Sequence, residues 1–348
     1  MEFLAEYGLF FAKTVTLLLA ILVVIVVLVG AGHKQRRVDR GHIEVRSLNE
    51  EIDTVSNTLK DAVLNPEEFK QDVKNEKKRA KALQKSQKQA AKAGDPPTKR
   101  VFVLDFDGDV QASAVDQLRE EVTAVLSIAT PADEVVVRLE SPGGMVHSYG
   151  LGASQLSRIV SKSIPLTIAV DKVAASGGYM MACIGNHIIA APFALLGSIG
   201  VVAQIPNFHR LLKSKDIDVE ILTAGEHKRT LTMFGENTEK GRQKFIEELE
   251  DVHALFKNFI AENRPKVDIQ GVATGEAWYG KRALEHQLVD ELKTSDEYIV
   301  DKCRDCDVFQ VKYVEDRNRV DQLLERFTAT LGRIKGTDAL RSHEPFKF

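Results

Sequence analysis

The stretch DKVAASGGYMMAC at residues 171–183 places Ser176 between two alanines and two glycines. No bulky neighbour in the sequence shields its hydroxyl, and the glycines allow backbone conformations that a side chain would forbid. An apolar run precedes the serine and helix-forming residues follow it, which predicts a strand-to-helix turn. Unpaired N–H groups at a helix N-terminus favour developing negative charge. Ser176 is therefore a candidate nucleophile, although an isolated Ser-Gly-Gly turn is more often purely structural.

A second glycine turn ends the stretch RLESPGG at residues 138–144. The N–H groups of Gly143 and Gly144 could form an oxyanion site, which needs backbone donors beside a reacting carbonyl. The ends of parallel strands gather at one edge of a sheet. We therefore expect this turn and Ser176 to share one cleft.

Composition and charge exclude several classes of protein. The chain has 348 residues, of which 47 are basic and 50 acidic, and the net charge of −3 gives no reason to expect a nucleic-acid partner. Three cysteines are too few for a disulfide scaffold, and the pair Cys303 and Cys306 lacks a second pair of metal ligands, so no role is assigned to it. The histidines show no metal-ligand spacing and no Walker loop is present, so we expect neither metal nor cofactor.

The elements that must position the two turns begin after residue 100. The segments RVFVLDFDG, DEVVVRLESPGG and IPLTIAVDKVAASGG are each typical of a strand followed by a turn, and helical spacing lies between them near 115–126 and 148–161. The segments HIIAAPFALLGSIGVV and DIDVEILTAG indicate further strands and loops. This alternation predicts a right-handed β-α-β core with a mostly parallel sheet.

Two longer segments complete this part of the chain. Residues 173–209 contain no Asp, Glu, Lys or Arg, but glycines and Pro192 divide them into short β-like runs. We interpret them as buried sheet core rather than as a membrane span, because parallel strands covered on both faces are almost continuously apolar. Residues 238–263 place their apolar side chains on one helical face and predict an amphipathic helix.

The N-terminal region predicts a membrane anchor. Residues 14–32 carry no charge, and a helix of that length spans about 28 Å, close to the thickness of a bilayer's hydrocarbon core. A cleaved signal peptide is the alternative, but it would need a more basic start and a shorter apolar stretch. The basic sequence HKQRRVDR follows at residues 33–40 and favours a cytoplasmic location for what comes after it.

Residues 34–100 form a polar, basic spacer. Between Lys70 and Lys92 there are nine basic and two acidic residues. A solvated helix or flexible linker is the first interpretation, and a polybasic segment on anionic lipid is the second. RNA binding is disfavoured because no aromatic residues are interleaved for stacking.

Four motifs carry a resemblance to a known family. RLESPGG, DKVAASGGYMMA, LLGSIGV and TAGEHKRTL, in this order and spacing, resemble the signal peptide peptidase A group of serine proteases, peptidase family S49. The apolar N-terminus, the basic spacer and ATGEAWYGKRALEHQLVDEL are most similar to its inner-membrane members. The resemblance covers nearly the whole chain. It implies an α/β fold with a β-α-β core like that of the ClpP and crotonase superfamily, and serine endopeptidase activity.

The resemblance also implies roles for individual residues. By motif, Ser176 is the nucleophile, Lys228 is the general base, and Ser198 orients the lysine amine. Gly143, Gly144 and the N–H of Gly177 match the oxyanion region of the family.

A lysine base needs a particular environment. A lysine amine in water is almost wholly protonated at neutral pH, so it can act as a base only where an apolar cleft disfavours its charge. His227 is the rival base, since imidazole needs no such environment. Neighbours on an extended chain point to opposite faces, so one of the two is expected to face away. The family pattern favours Lys228.

These inferences predict a four-part chain: an anchor at 1–33, a spacer at 34–100, a protease domain at 101–300, and a C-terminal extension at 301–348 with an amphipathic helix. Because family members assemble rings and this chain has one copy of the core, we expect a homo-oligomer whose dyad is shared between protomers. The expected location is the bacterial inner membrane, with a single pass, and the expected substrates are peptides or membrane-associated segments. A crotonase-like acyl-CoA enzyme and a catalytically silent membrane scaffold are the alternatives.

Overall fold

A computed structural model describes residues 6–19, 41–93, 99–225 and 227–315. Residues 6–19 are helical (α1), but residues 20–33 of the predicted anchor lie outside the described residues. Within the ranges given, none of the helices has both the length and the apolar character to cross a bilayer. The apolar stripe predicted between Val320 and Ile334 also lies outside the described residues.

The chain divides into two compact units, residues 43–313 and residues 1–42 with 314–348. The elements after α1 are β1 (Gly41–Ser47), α2 (Leu48–Val63), α3 (Pro66–Ala93), β2 (Arg100–Asp107), α4 (Val115–Leu126), β3 (Glu134–Glu140), α5 (Val146–Val160), β4 (Leu166–Val170), β5 (Val173–Ala175) and α6 (Gly177–Ala182). They continue with β6 (His187–Ala190), β7 (Leu195–Gly197), α7 (His209–Lys213), α8 (Glu239–Asn263), α9 (Ile269–Val272), β8 (Ala277–Tyr279), α10 (Gly280–Glu285), β9 (Glu291–Leu292), α11 (Ser295–Lys302) and β10 (Asp307–Glu315).

Two sheets organise these elements. The larger has seven strands in the order β1-β10-β2-β3-β4-β6-β9, and the pairs from β10 to β9 are all parallel. The smaller sheet has the order β5-β7-β8, with β5 and β7 parallel and β7 and β8 antiparallel. The prediction of an α/β fold with a mostly parallel sheet is confirmed, whereas the specific likeness to the ClpP and crotonase core stays a prediction.

Burial explains the apolar character of the central segments. Strands β2, β3 and β4 are almost entirely buried, and α4, α5 and α6 pack together over the same core through residues such as Leu118, Leu156 and Met181. Every residue of α6 is buried. Most of residues 173–199 therefore belong to the core, as their broken apolar runs predict. The prediction is wrong for residues 200–209, which are mostly exposed and belong to neither sheet.

The helix predicted at 238–263 is confirmed as α8. Thr238 caps it by accepting a hydrogen bond from the N–H of Gly241 at 3.1 Å, and Phe256 and Ile260 bury its C-terminal half. A threonine at this position satisfies one of the N–H groups that a helix start leaves without an internal partner.

One predicted strand is wrong. Residues 216–225, DIDVEILTAG, are irregular, and Leu222 is 91% exposed. Alternating apolar residues favour a strand only when a neighbour completes the hydrogen bonds and covers one face. No described strand of the same chain pairs with this segment.

Candidate active site

Ser176 occupies a sharp corner between β5 and α6. Its φ of 51° and ψ of −118° lie outside the conformations that a residue with a side chain commonly adopts. The hydroxyl-bearing residue is partly exposed, whereas the residues on both sides of it are buried. Such a corner suits a nucleophile, because it keeps the side chain clear of its neighbours. The strained backbone conformation of Ser176 persists because the residues packed around it hold it in place.

The corner is fixed by strand β7. Ala175 of β5 lies opposite Gly197 of β7, and the N–H of Ser176 donates to the carbonyl oxygen of Gly197 at 2.8 Å. The next residue, Ser198, also has a positive φ of 50°, and its N–H donates to the carbonyl oxygen of Glu276 at 2.7 Å. Ser176 and Ser198 therefore follow paired residues of two parallel strands, which brings together two of the residues that the sequence singled out.

The second glycine turn packs against this corner. Gly143 has a φ of 90°, and a Cβ atom at this position would lie 2.8 Å from the Cβ of Ser176. A Cβ on Gly144 would lie 2.1 Å from the carbonyl oxygen of Val110. Only glycine fits at either position without displacing backbone, so the two turns meet as expected.

A buried hydrogen-bond network supports the turn from below. The N–H of Gly143 donates to Ser141 Oγ at 3.0 Å, the two hydroxyls of Ser141 and Tyr149 lie 2.5 Å apart, and Tyr149 Oη donates to the carbonyl oxygen of Asp109 at 2.7 Å. Ser141 and Tyr149 have no exposed surface. Because Tyr149 uses its proton for Asp109, Ser141 must be the donor between the two hydroxyls. Sequence reasoning missed both residues.

This hydrogen-bond network determines which backbone N–H groups near Ser176 are left without an acceptor. The N–H of Gly143 is occupied by Ser141, whereas those of Gly144 and Gly177 have no acceptor among the described residues. Gly177 starts α6, whose first helical hydrogen bond runs from the N–H of Met180 to the carbonyl oxygen of Ser176 at 3.0 Å. Two N–H groups thus remain beside the Ser176 hydroxyl, where an oxyanion would need them.

An apolar cavity of about 80 Å³ opens beside Ser176. Its walls are formed mainly by aliphatic and aromatic side chains from α5, α6, α8 and the segment after β7. The lining residues are Gly144, Val146, Ser176, Gly177, Met180, Gly200, Val201, Val202, Val252 and Phe256.

Lys228 is the predicted general base. It is exposed on the irregular segment between α7 and α8 and does not line the cavity that contains Ser176. Ser176 Oγ has no hydrogen-bond partner among the described residues. His227 and Arg229 line a separate cavity of about 260 Å³ near the start of α8, which Lys228 does not line. Within one protomer Lys228 therefore neither bonds to Ser176 nor lines the cavity beside it, and, unlike His227, it does not line the cavity near α8.

Trp278 on β8 is a further residue that sequence reasoning missed. A Cβ atom on Gly197 would lie 2.9 Å from Cδ1 of Trp278, so the indole packs directly against the residue that accepts the Ser176 N–H. The ring of His286 lies over the indole with a centroid distance of 4.2 Å. The motif that contains Trp278 carried part of the resemblance to the family. Its contact with Gly197, however, is revealed only by the antiparallel pairing of β7 with β8.

A strained serine at a strand-to-helix corner, with two unoccupied backbone donors and an apolar cavity beside it, has the features that a serine-type hydrolase needs in its active site. The model of Peptidase family S49 N-terminal matches residues 2–156, and that of Peptidase family S49 matches residues 158–308. The "Probable protease SohB" of Haemophilus influenzae is 52% identical over 317 residues, which cover 90% of this chain and 89% of that protein. The "Probable protease SohB" of Buchnera aphidicola subsp. Schlechtendalia chinensis is 46% identical over 307 residues, which cover 87% of this chain and 100% of that protein. The chain therefore belongs to peptidase family S49, as a SohB-type serine peptidase.

A solved structure gives a looser match. A mutant of the 1510-N membrane-bound stomatin-specific protease covers 60% of this chain and 86% of its own, with a TM-score of 0.41 and 14% identity. This likeness is too low to support any statement about the activity of the present chain.

Proposed function

We propose that the chain is a membrane-anchored serine endopeptidase in which Ser176 of one protomer works with Lys228 of a neighbouring protomer. One observation carries this proposal. Backbone donors and an apolar cavity lie beside Ser176, but its hydroxyl lacks a base among the described residues of its own protomer. Among the described residues of its own protomer, no side chain forms a hydrogen bond with it. Lys228 is exposed on an irregular segment of the surface, where a second copy can contact it.

The chemistry is a two-step acyl transfer. Ser176 Oγ attacks the peptide carbonyl carbon while its proton passes to Lys228 Nζ. The tetrahedral intermediate collapses, the C–N bond breaks, and Nζ returns the proton to the leaving amine. A water molecule then attacks the Ser176 ester while the lysine accepts its proton. The bond between the acyl carbon and Ser176 Oγ breaks, Nζ returns the proton to Oγ, and the peptide acid is released. Ser198, which neighbours Ser176 at the end of β7, orients the lysine amine.

Backbone donors stabilise the negative oxygen of the intermediate. The unoccupied N–H groups of Gly144 and Gly177 support this role directly. For Gly143 to join them, its N–H must exchange Ser141 Oγ for the oxyanion. Gly143 also contributes through its conformation, because its positive φ brings the glycine turn against Ser176.

The apolar cavity supports a substrate preference. A side chain entering it would touch Val146, Met180 and Phe256 and meet no charged group. The cavity volume suits a small or medium aliphatic side chain next to the scissile bond. Such side chains are abundant in membrane-associated segments, which we propose as substrates together with peptides.

Exposed apolar residues support assembly into a homo-oligomer. In one protomer Val202 and Leu222 are each 91% exposed, and Phe208 and Phe234 stack on each other at 6.1 Å on the same irregular region. Large apolar side chains at such exposure are typical of surfaces that a partner covers. This region also carries Lys228, so an interface here would deliver the base to a neighbouring Ser176.

Membrane anchoring is part of the proposal and is supported by the uncharged stretch at 14–32. We propose a single-pass location in the bacterial inner membrane. Reporter fusions at the C-terminus would identify the side on which the protease unit lies, and a cytoplasmic location is expected from the basic residues at 33–40.

Complementation between inactive chains tests the shared dyad. Ser176→Ala and Lys228→Ala chains are each expected to be inactive, and mixed oligomers that contain both should recover part of the peptidase activity. The absence of recovery in oligomers verified to contain both chains would contradict sharing. Labelling of Ser176 by a fluorophosphonate probe separates the proposal from an acyl-CoA enzyme and from a silent scaffold, neither of which needs a nucleophilic serine.

A further inference from the structure

The helix α3 carries lysines on one face only. Lys70, Lys74, Lys78, Lys81 and Lys85 follow one another at steps of four and three residues within a continuous helix from Pro66 to Ala93. At about 100° per residue these positions fall within a sector of roughly 80°. We call these five residues the lysine stripe. In the sequence, Lys88 and Lys92 continue the same spacing.

The stripe faces away from the neighbouring helix. Asp72 of α3 lies on the other side of the helix and pairs with Lys60 of α2 at 2.7 Å. The lysines of the stripe are exposed, and none of them forms an ion pair with a described residue. Lys70, Lys74, Lys78 and Lys81 of the stripe, together with Val73, border one open patch of surface that α3 forms by itself.

This arrangement is electrostatically unfavourable in isolation. Like charges at steps of four residues destabilise a helix, and no described acidic residue compensates them. The side chains around this patch are four lysines and Val73, so a single valine is the apolar surface that it offers to a protein core or a bilayer interior. A partner for this face must therefore supply negative charge along its length and little else.

We propose that the lysine stripe lies on an anionic phospholipid surface. The straight row from Lys70 to Lys85 is about 23 Å long, and a flat, extended array of negative groups can contact all of it at once. Lipid phosphates form such an array, and clustered lysines near a membrane bind them through charge alone. Nucleic acid fits less well because the row carries no aromatic side chains for stacking. The contact would hold the unit 43–313 against the bilayer at a second point besides the anchor, so the inference rests on the proposed membrane location.

Backbone hydrogen exchange in nanodiscs tests this proposal. The full-length chain is placed in nanodiscs of phosphatidylcholine alone and in nanodiscs that also contain about 30% phosphatidylglycerol, an anionic lipid. Exchange of the amides from Pro66 to Ala93 should slow by about tenfold in the anionic nanodiscs only. The protection should disappear at about 1 M salt, where charge is screened within about 3 Å.

Matched variants identify the residues responsible. The combined variant Lys70→Gln, Lys74→Gln, Lys78→Gln and Lys81→Gln should lose the protection, since glutamine keeps helix propensity but has no charge. The control combines Lys162→Gln, Lys213→Gln, Lys215→Gln and Lys281→Gln, all exposed and outside α3, and should keep it. Equal protection in both kinds of nanodisc would mean that another protein surface covers α3, and absence of protection in both would mean that nothing does; either result overturns the proposal.

The same samples separate this inference from the proposed function. Retention of the chain in nanodiscs of phosphatidylcholine alone reports the anchor, and fluorophosphonate labelling of Ser176 reports the peptidase site. Both should be the same in the glutamine variant as in the original chain.

Discussion

The N–H of Ser176 donates to the carbonyl oxygen of Gly197 at 2.8 Å, so Ser176 is held at the end of the neighbouring strand β7. The bond holds Ser176 at a positive φ that its own side chain disfavours. The position of Gly197 depends in turn on β8, because Trp278 packs against it. The backbone geometry of Ser176 therefore depends on Gly197 and Trp278, which lie about twenty and one hundred positions further along the chain.

Trp278 should act as a positioning residue. We expect Trp278→Ala to slow fluorophosphonate labelling of Ser176 by about tenfold, roughly 1.4 kcal/mol in the activation barrier, because the space opened beside Gly197 lets the corner relax. Trp278→Phe keeps a flat apolar ring in place and should retain most of the rate. Labelling kinetics on folded protein are the measurement, with melting temperature recorded for each variant.

The control for this prediction is Tyr279→Ala, which removes a neighbouring aromatic residue that is 41% exposed and lies on the other side of β8. It should label at the original rate. If Trp278→Ala were to label just as fast while remaining folded, Trp278 would be a packing residue without influence on the nucleophile.

Ser141 should support the glycine turn. Ser141→Ala removes the acceptor for the Gly143 N–H and leaves that buried group unpaired, which costs about 1–3 kcal/mol in the free energy of unfolding. We also expect a lower kcat, because the turn that carries Gly144 loses its support. Denaturant unfolding and steady-state kinetics provide the two measurements.

Tyr149→Phe is the companion variant. It removes the partner to which Ser141 donates but leaves the acceptor of Gly143 in place, so its effect on kcat should be the smaller. Ser154→Ala removes an exposed hydroxyl of α5 and should change neither quantity. A larger effect on kcat for Tyr149→Phe than for Ser141→Ala would refute this account of the network.

Replacing Lys228 and replacing His227 should have very different effects on kcat. We expect Lys228→Ala to reduce kcat by at least about a hundredfold, the smaller end of what general bases contribute. His227→Ala should change it less than about twofold on the same scale, since His227 lines a separate cavity. Peptide hydrolysis by purified oligomers is the measurement, and size-exclusion chromatography verifies that both variants still assemble. Full activity of Lys228→Ala would exclude it as the base.

Glu121 should make stability depend on pH. Burial raises its pKa from the ordinary 4.5 to about 7, with a further rise from Asp105, while the hydrogen bond from the Tyr313 N–H and the charge of Lys312 act in the opposite direction. Between these two pH values the folded state binds more protons than the unfolded state, so the free energy of unfolding falls as the pH rises from about 4.5 to about 7. Across this pH range the free energy of unfolding falls by about 3 kcal/mol.

Glu121→Gln tests this dependence. The variant keeps an oxygen for the Tyr313 N–H but carries no charge, so it should be more stable than the original chain at about pH 8, by about 1–3 kcal/mol, and similar to it at about pH 5. Chemical denaturation at the two pH values is the measurement. Exposed Glu120→Gln is the neighbouring control and should leave the pH dependence unchanged. Parallel pH profiles for the original chain and for Glu121→Gln would refute the assignment.

Local features of the fold were predictable from the sequence. The apolar runs of β2, β3 and β4, the strand-to-helix turn at Ser176, and the helix that begins after Thr238 all depend on neighbours within a few residues. Periodicity, capping and the freedom of glycine act over such distances. The failure at 216–225 has the same origin, since its alternating pattern is a local signal for a strand that finds no partner in the protomer.

The sequence by itself thus determined that a bare serine follows a buried strand, that glycines flank the site, and that family S49 motifs occur in order. Only the tertiary structure decided that Ser141 occupies the Gly143 N–H, that Trp278 packs against Gly197, and that Lys228 does not line the cavity beside Ser176 within one protomer. The physical reason is that hydrogen bonds and packing between distant segments depend on strand register and on the order of strands in a sheet. A one-residue change of register moves every side chain of a strand to the other face, so which distant residues meet depends on how whole strands pair.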